Sequence, residues 1–585
     1  MAFTAENTLM RLAVYFANFV LLIARGSAFA HTPCVPPDRG DLGVAYMRFD
    51  ALARAMPKDP AMREQLNRGF DALTADFFAM RFSNALSSLA RIQADVRQLD
   101  DDSRAEFQFV ASHRFEFTPR TVSIGAGGLD PTSPISPISA IVRVTDLDLM
   151  EQGTAPISLI VLCGSMRIEV PFQREASIVF PPETKADVIR VFASFGRIGD
   201  IEVARGYAIV SALDTTAAAL TVRIAALESA GNTPSSALAS LKARCLLLTN
   251  RVDRSKSSSL LCDVHATLSA LEREVAAAEL GAKPYAIAGD LWRIYRALGV
   301  DLPTRQFVPD GDGPFPLVIA FHGAGADENM FFEGYGAGML RSLAKEKGFA
   351  LVCPPTIPFG LSDRLFERFV DEVALDIPID RSRVLLLGHS LGAITASRLA
   401  CACPTAIAGA VCIAGFLDAP GVQPSAPRSV YLAELDPIFP AAGVRQAVES
   451  ARTRGCSVEL AEIRHEGHML VVDRVLPQAV DWLLARAART TATTKPTESA
   501  PSTSPMKTDG SVPGRSEASP SAGPMKNPAP TNASWGSASF DLRAANSEPV
   551  VNRAVVDGAL SKSKSDEPDH QRRLVGRGDT RCESN

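Results

Sequence analysis

Residues 385–393 read LLLGHSLGA, and this stretch decides the fold. An apolar run leads directly to Ser390, which Gly388 and Gly392 flank, and a helical pattern begins at Leu391. A short apolar run between turn residues predicts a buried strand. Small residues around a serine permit the sharp strand-to-helix turn that exposes a nucleophile. The stretch therefore predicts Ser390 as a nucleophile and the Leu391 amide as an oxyanion donor, against the alternative of an ordinary tight turn.

The same alternation of strand and helix patterns continues through residues 286–488. The predicted strands are PLVIAF, ALVCP, RVLLLG, AIAGAVCIAG, SVYLAEL and SVELAEI, and helical patterns, NMFFEGYGAGMLRSLAKEKG among them, separate most of them. Such alternation predicts an α/β domain, with a parallel sheet covered by helices on both faces.

A second oxyanion donor is expected in the loop after PLVIAF, which reads HGAGADEN. Its small residues let backbone N–H groups approach a carbonyl oxygen, and Ala324 is the first choice, before Gly325. His322 is interpreted as support for this loop. A dinucleotide-binding loop is excluded, because Glu328 stands where the third glycine is required.

A serine hydroxyl needs a base and an orienting acid, which follow it in the chain order of this architecture. Asp436 ends the strand SVYLAEL just before a proline, so we predict it as the acid. Asp418 in GFLDAP is the rival. Glu434 is interpreted as a strand or rim residue.

The predicted base is His468, which precedes the last helix in AEIRHEGHMLVVDRV. His465 is expected to pack or cap nearby, and His389 in the serine turn is expected to pack. The spacing H-E-G-H is one residue shorter than the H-E-x-x-H of zinc proteases, so no metal site is predicted there.

Composition narrows the function classes. The chain has 585 residues, a formal net charge of −5 and a pI of about 6.0, so no broad basic surface points to nucleic acid. Its ten cysteines lack metal-finger spacing, and Cys401 and Cys403 are not expected to pair.

The ends of the chain have their own signals. Residues 1–30 contain the apolar core LAVYFANFVLLIA and an A-x-A site, which predicts a signal peptide and export. No later segment has the pattern of a transmembrane helix, so no stable membrane span is expected after processing. Residues 489–585 are rich in Ser, Thr and Pro, which predicts a disordered tail.

Residues 31–285 predict a mixed module of unknown role. The pattern is helical from 45 to 100, alternates as in strands from about 106 (FQFVASHRFEF) to 213, and is then helical again. The GAGG at 125–128 is interpreted as a loop.

Together, the segment from Trp292 to Asn329 and the motifs GHSLGA, ELDPIFP and EGHM resemble the α/β-hydrolase superfamily. The resemblance is to compact bacterial serine esterases of the polyhydroxybutyrate-depolymerase, feruloyl-esterase and predicted-peptidase type. It implies Ser390, Asp436 and His468 as a triad, and acyl transfer to water without a cofactor.

The expected substrate is a small-molecule or polymer ester. The segments before Ser390 and Asp436 are short, so no lid is expected and the pocket is expected to be open. A serine peptidase with the same triad and a catalytically inactive binding protein remain alternatives.

Overall fold

The structure is a computed structural model that describes residues 34–55, 59–120, 139–180, 188–207, 213–248, 257, 264–282, 288–417 and 425–494. The predicted signal peptide, the GAGG segment, Asp418 and the chain after residue 494 lie outside the described residues. All described residues belong to one compact unit that extends to residue 498.

The described chain opens with four helices, α1 (Arg39–Ala55), α2 (Pro60–Phe78), α3 (Phe82–Val96) and α4 (Asp101–Ser112). The apolar faces of α1, α2 and α3 share one core that includes Phe49, Leu66, Phe70 and Leu89, whereas Phe109 of α4 packs in a separate core with the strands that follow. In α2 the buried Leu66, Phe70 and Leu73 recur at three- and four-residue spacing, as expected for an amphipathic helix.

Seven strands follow, and they form two antiparallel sheets. The strands are β1 (His113–Arg120), β2 (Ser139–Asp146), β3 (Ser158–Cys163), β4 (Met166–Pro171), β5 (Glu175–Val179), β6 (Val188–Ser194) and β7 (Asp200–Tyr207). The sheet orders are β1-β2-β5 and β4-β3-β6-β7. Both sheets contribute buried side chains to one core, among them Val142 and Val191.

Helix α4 corrects the sequence prediction for FQFVAS, residues 107–112, which belong to the helix and not to a strand. Alternating phenylalanines suggested period two, but Asp100 caps the helix and its carboxylate accepts the Ser103 N–H at 2.8 Å. The strand begins only at His113, where the backbone becomes extended.

Three further helices lead to the second half of the chain, α5 (Leu213–Ala230), α6 (Ser235–Leu247) and α7 (Val264–Glu279). Between α6, α7 and the sheet that follows lies a buried ion cluster, in which Glu274 bonds Arg244 at 2.8 Å and Arg293 at 3.2 Å. All three side chains are about 1% exposed.

The second half is built on an eight-stranded sheet. Its elements are β8 (Gly289–Ala297), β9 (Val300–Val308), β10 (Phe315–Phe321), α8 (Met330–Glu333), α9 (Tyr335–Lys347), β11 (Ala350–Cys353), α10 (Thr356–Leu361), α11 (Asp363–Asp376), β12 (Ile379–His389), α12 (Leu391–Ala402), β13 (Gly409–Ile413), β14 (Arg428–Ala433), α13 (Ala441–Thr453), β15 (Val458–Ile463) and α14 (Val471–Thr494).

Helices cover both faces of this sheet, as the sequence predicts. In β10, Val318 packs in the core on the side of α9 and α14, whereas Ile319 packs in the core on the side of α11 and α12. The six predicted strands are all present. Their carboxyl ends meet at one edge, which is where parallel α/β sheets carry their sites.

The sheet is mixed, which the sequence analysis did not predict. Its order is β15-β14-β13-β12-β10-β11-β9-β8, and β9 runs antiparallel to both of its neighbours, β11 and β8. The turn between these strands uses Leu298 and Gly299, both with positive φ, as a tight hairpin requires. The predicted helix 329–348 is also interrupted, at Gly336–Gly338.

None of the helices within the described ranges is long and apolar enough to cross a membrane. None of the eight described cysteines, Cys401 and Cys403 included, forms a disulfide bond.

Candidate active site

Ser390 stands on a strained turn between β12 and α12. Its backbone has φ 55° and ψ −118°, a left-handed conformation that non-glycine residues rarely adopt. A β-carbon at Gly388 would lie 2.1 Å from the Gly392 carbonyl oxygen, and one at Gly392 would lie 1.9 Å from the Phe321 carbonyl oxygen. Glycine is therefore required on both sides of the serine by close backbone approach.

The structure brings the three predicted triad residues together. The His468 Nε2 atom lies 3.0 Å from Ser390 Oγ, and Nδ1 lies 2.9 Å from Asp436 Oδ2. Asp436 follows β14 and His468 follows β15, so both project from the carboxyl edge of the sheet. Ser390 is 9% exposed, Asp436 5% and His468 3%. This burial limits competition from water for the hydrogen bonds that connect them.

The second oxygen of Asp436 is held by the backbone. Oδ1 accepts the N–H groups of Ile438 and Phe439 at 2.8 and 2.9 Å. These two bonds leave Oδ2 turned toward His468. A carboxylate in that place keeps a proton on Nδ1 and leaves Nε2 free to accept the serine proton.

The loop after β10 passes beside the serine. A β-carbon added to Gly323 would lie 3.3 Å from Ser390 Cβ. The Gly323 N–H donates to the Tyr335 hydroxyl at 3.4 Å, and the Ala326 N–H donates to the Gly323 carbonyl. The amides between them, of Ala324 and Gly325, are the candidate oxyanion donors in this loop. The other candidate donor is the amide of Leu391, which is the first residue of α12.

A chain of hydrogen bonds through His389 connects the loop after β10 to the loop that carries His468. Burial and the nearby His468 hold the pKa of His389 well below its usual value, so its ring is neutral. Nε2 must donate to the His468 carbonyl at 2.9 Å, and Nδ1 therefore accepts from the Tyr335 hydroxyl at 2.5 Å. His389 does more than pack, and the sequence analysis missed Tyr335 altogether.

The other polar residues singled out from the sequence lie near the site without touching Ser390 Oγ. His322 is buried, and its Nδ1 donates to the Gly323 carbonyl at 2.9 Å, which supports the loop as expected. His465 is 45% exposed, and its N–H donates to Glu434 at 2.8 Å. Asp418 lies outside the described residues.

The mixed module of residues 31–285, here called the N-terminal module, also contacts the loops of the site. The sequence analysis did not predict these contacts. From α2, Asn67 bonds the His465 carbonyl at 2.9 Å and Asp71 accepts the His468 N–H at 3.0 Å. The Phe77 ring lies so close to Gly325 that a β-carbon there would approach it to 2.3 Å. Polar residues spaced four apart on an otherwise amphipathic helix were the available signal. Contacts from α2 therefore reach two of the loops around Ser390.

Within the described ranges no group of three or more His, Cys, Asp or Glu side chains is arranged to hold a metal ion.

A comparison with known protein families supports the fold of the second half of the chain. Residues 317–517 match the model of the alpha/beta hydrolase family. The eight-stranded sheet and the helices that cover it have the α/β-hydrolase fold. No curated protein matches the sequence.

Solved structures with similar folds include S-formylglutathione hydrolases from Staphylococcus aureus and Agrobacterium tumefaciens. They are 13% and 16% identical, each match covers 34% of this chain and 96% or 97% of the other, and the TM-scores are 0.30 and 0.29. A feruloyl esterase module from Clostridium thermocellum is 11% identical over 32% of this chain and 85% of its own, with a TM-score of 0.28.

Proposed function

We propose that the protein is a serine hydrolase that cleaves carboxylic esters, with Ser390 as nucleophile, His468 as base and Asp436 as orienting acid. The proposal rests on one observation above all. Two hydrogen bonds, of 2.9 and 3.0 Å, connect Asp436 to His468 and His468 to Ser390 on a strained turn. A serine hydroxyl needs such a base to become a nucleophile at neutral pH.

In the first step Ser390 Oγ attacks the ester carbonyl carbon and its proton passes to His468 Nε2. The imidazolium is stabilised by the Asp436 carboxylate, and the negative charge that forms on the carbonyl oxygen is stabilised by the amides of Leu391 and Ala324. The intermediate collapses, the alcohol leaves with the proton from His468, and an acyl-enzyme remains.

In the second step water attacks the acyl carbon while His468 takes one of its protons. Collapse of this second intermediate releases the acid and returns the proton to Ser390 Oγ. All bonds and protons balance with water as the only co-substrate, so the proposed reaction uses no cofactor. We also propose that the protein is exported, as the signal-peptide pattern of residues 1–30 predicts.

Turnover of p-nitrophenyl acetate, butyrate and palmitate by the full chain tests the proposal, with Ser390→Ala as the comparison. We expect hydrolysis that depends on Ser390, and the three chain lengths will report the size of the acyl site. Equal turnover by Ser390→Ala would refute the assignment. Cleavage of peptide amides without cleavage of esters would replace the esterase with a peptidase on the same residues.

A further inference from the structure

One face of helix α2 lies along the loop that carries the candidate base. Arg63, Asn67 and Asp71 are four residues apart, so their side chains lie on the same side of the helix. All three side chains contact residues 465–473, although about 400 positions separate the two segments in the sequence.

The first contact is made by Arg63, which bonds residues at both ends of this segment. Arg63 Nε donates to both carboxylate oxygens of Glu466 at 2.9 and 3.0 Å, and its Nη2 donates to Asp473 and to the Leu470 carbonyl, each at 2.8 Å. Glu466 is 2% exposed, and Asn67 also donates to it at 3.0 Å. A forked guanidinium with charged acceptors is a rigid arrangement.

The second contact is at the base itself. Asp71 Oδ2 accepts the backbone N–H of His468 at 3.0 Å, and a β-carbon added to Gly467 would lie 2.2 Å from the same oxygen. Glycine at this position therefore lets the carboxylate reach the backbone of the base. The other oxygen, Oδ1, is buried and has no hydrogen-bond partner among the described residues.

The module also holds the opposite side of the site. Arg39 at the start of α1 donates to the Gly325 carbonyl at 3.0 Å and to Asp327 at 3.1 Å, next to the candidate oxyanion amides. Contacts from one module thus fix both loops between which Ser390 lies.

We propose that α2 is an integral part of the active site, with Asp71 as a positioning residue that holds the backbone of His468 in line with Ser390. This inference rests on the proposed function. A buried carboxylate oxygen without a partner costs stability, and such a cost is expected where a side chain serves the site.

The electrostatics of Asp71 provide a way to test this role. Burial, together with the charge of Asp436, raises the pKa of Asp71 to about 6, although the His468 N–H and the charge of His468 oppose the rise. The carboxylate is therefore ionised at pH 8 and largely protonated at pH 5.5. Near it, Arg63 and Glu466 pair with each other.

The experiment measures kcat and KM for p-nitrophenyl butyrate with the full chain and three variants, Asp71→Ala, Asp71→Asn and Asp76→Ala. Asp76 lies on the same helix, but it pairs with Arg81 at 2.7 Å, so it is the matched control. We expect Asp71→Ala to lower kcat about 10- to 100-fold with little change in KM, because a small misplacement of a catalytic group has this effect.

Asparagine keeps an oxygen acceptor and the size of the side chain, so Asp71→Asn is expected to lose less. The loss of kcat in this variant, relative to the unsubstituted protein, should be smaller at pH 5.5 than at pH 8, because the native carboxyl is itself largely protonated at pH 5.5. A purely structural role would not give this pH dependence, and the isosteric variant remains informative if Asp71→Ala fails to fold.

The outcomes separate the two proposals. Hydrolysis that depends on Ser390 but is unchanged in both Asp71 variants would overturn the positioning role alone. An equal loss in Asp71→Ala and Asp76→Ala would also overturn it, since the cause would then be general damage to α2. Absence of ester hydrolysis by the unsubstituted protein would overturn the proposed function and this inference with it.

Discussion

Replacing Asp436 with asparagine changes which nitrogen of His468 carries the proton. The Asp436 Oδ1 atom accepts the N–H groups of Ile438 and Phe439 at 2.8 and 2.9 Å. An asparagine is expected to keep its amide oxygen there, because only an oxygen can accept these two bonds. Its NH₂ group then faces His468 Nδ1, 2.9 Å away in the native geometry, where it can only donate.

In that arrangement Nδ1 becomes an acceptor, so the neutral ring carries its proton on Nε2, which points at Ser390 Oγ. Nε2 can then no longer take the serine proton. A wrong tautomer in a serine triad costs roughly 10⁴-fold in kcat. We therefore expect Asp436→Asn to lower kcat by about 10³- to 10⁴-fold, or about 4 to 5.5 kcal/mol of barrier.

The assay is initial-rate hydrolysis of p-nitrophenyl butyrate, with the thermal unfolding midpoint measured in parallel. The matched control is Asp418→Asn, the same substitution at the rival acid suggested by the sequence. We expect the control to keep native kcat and both variants to unfold near the native midpoint. If Asp436→Asn kept activity within tenfold of native while Asp418→Asn lost it, the assignment of the acid would be wrong.

Three further predictions concern stability. In a denaturant titration, Gly392→Ala should lower the free energy of unfolding by about 1–3 kcal/mol or more, because its β-carbon would lie 1.9 Å from a carbonyl oxygen. The control is Gly443→Ala, which has open space around it and should be neutral or stabilising. Glu274→Ala should cost about 3–5 kcal/mol, since it removes a buried carboxylate that bonds both Arg244 and Arg293. Glu279→Ala in an exposed pair should cost little, and equal losses would contradict this prediction. Burial raises the pKa of Asp376 to about 6, so the folded state binds its proton more tightly than the unfolded state. Its contribution to stability is full below about pH 4 and is lost as pH rises through 6; the gain in unfolding free energy from pH 7.5 to 5 should therefore be smaller in Asp376→Asn, and an unchanged gain would refute the shift.

Patterns within short stretches of the sequence predicted most of the strands and helices of the second half of the chain. The strand, turn and helix around Ser390 could be predicted because their signals lie within a few residues of one another, in apolar runs and in glycines that close packing demands. Asp436 and His468 could be proposed because strand ends that follow Ser390 in the chain meet at one edge of the sheet.

The remaining features depend on contacts that the sequence does not display. Asp71 reaches the His468 backbone across 397 positions, and the four-residue spacing of Arg63, Asn67 and Asp71 marks a polar face on α2 without indicating which segment it contacts. The β8–β9 hairpin was missed although its strands alternate, because one of its two positive-φ turn residues is Leu298, which is not a typical turn residue. Helix α4 was misread at Phe107 and Phe109, because two aromatic residues at period two outweighed the capping Asp100.

The most direct test of the central claim is covalent labelling of the full chain with a fluorophosphonate, followed by intact-mass analysis and peptide mapping. An activated serine attacks the phosphorus atom and displaces fluoride, whereas an ordinary surface serine does not react. We predict one adduct per chain, located on Ser390, with esterase activity lost in proportion to labelling. No adduct on Ser390, or an adduct elsewhere with activity unaffected, would contradict the account.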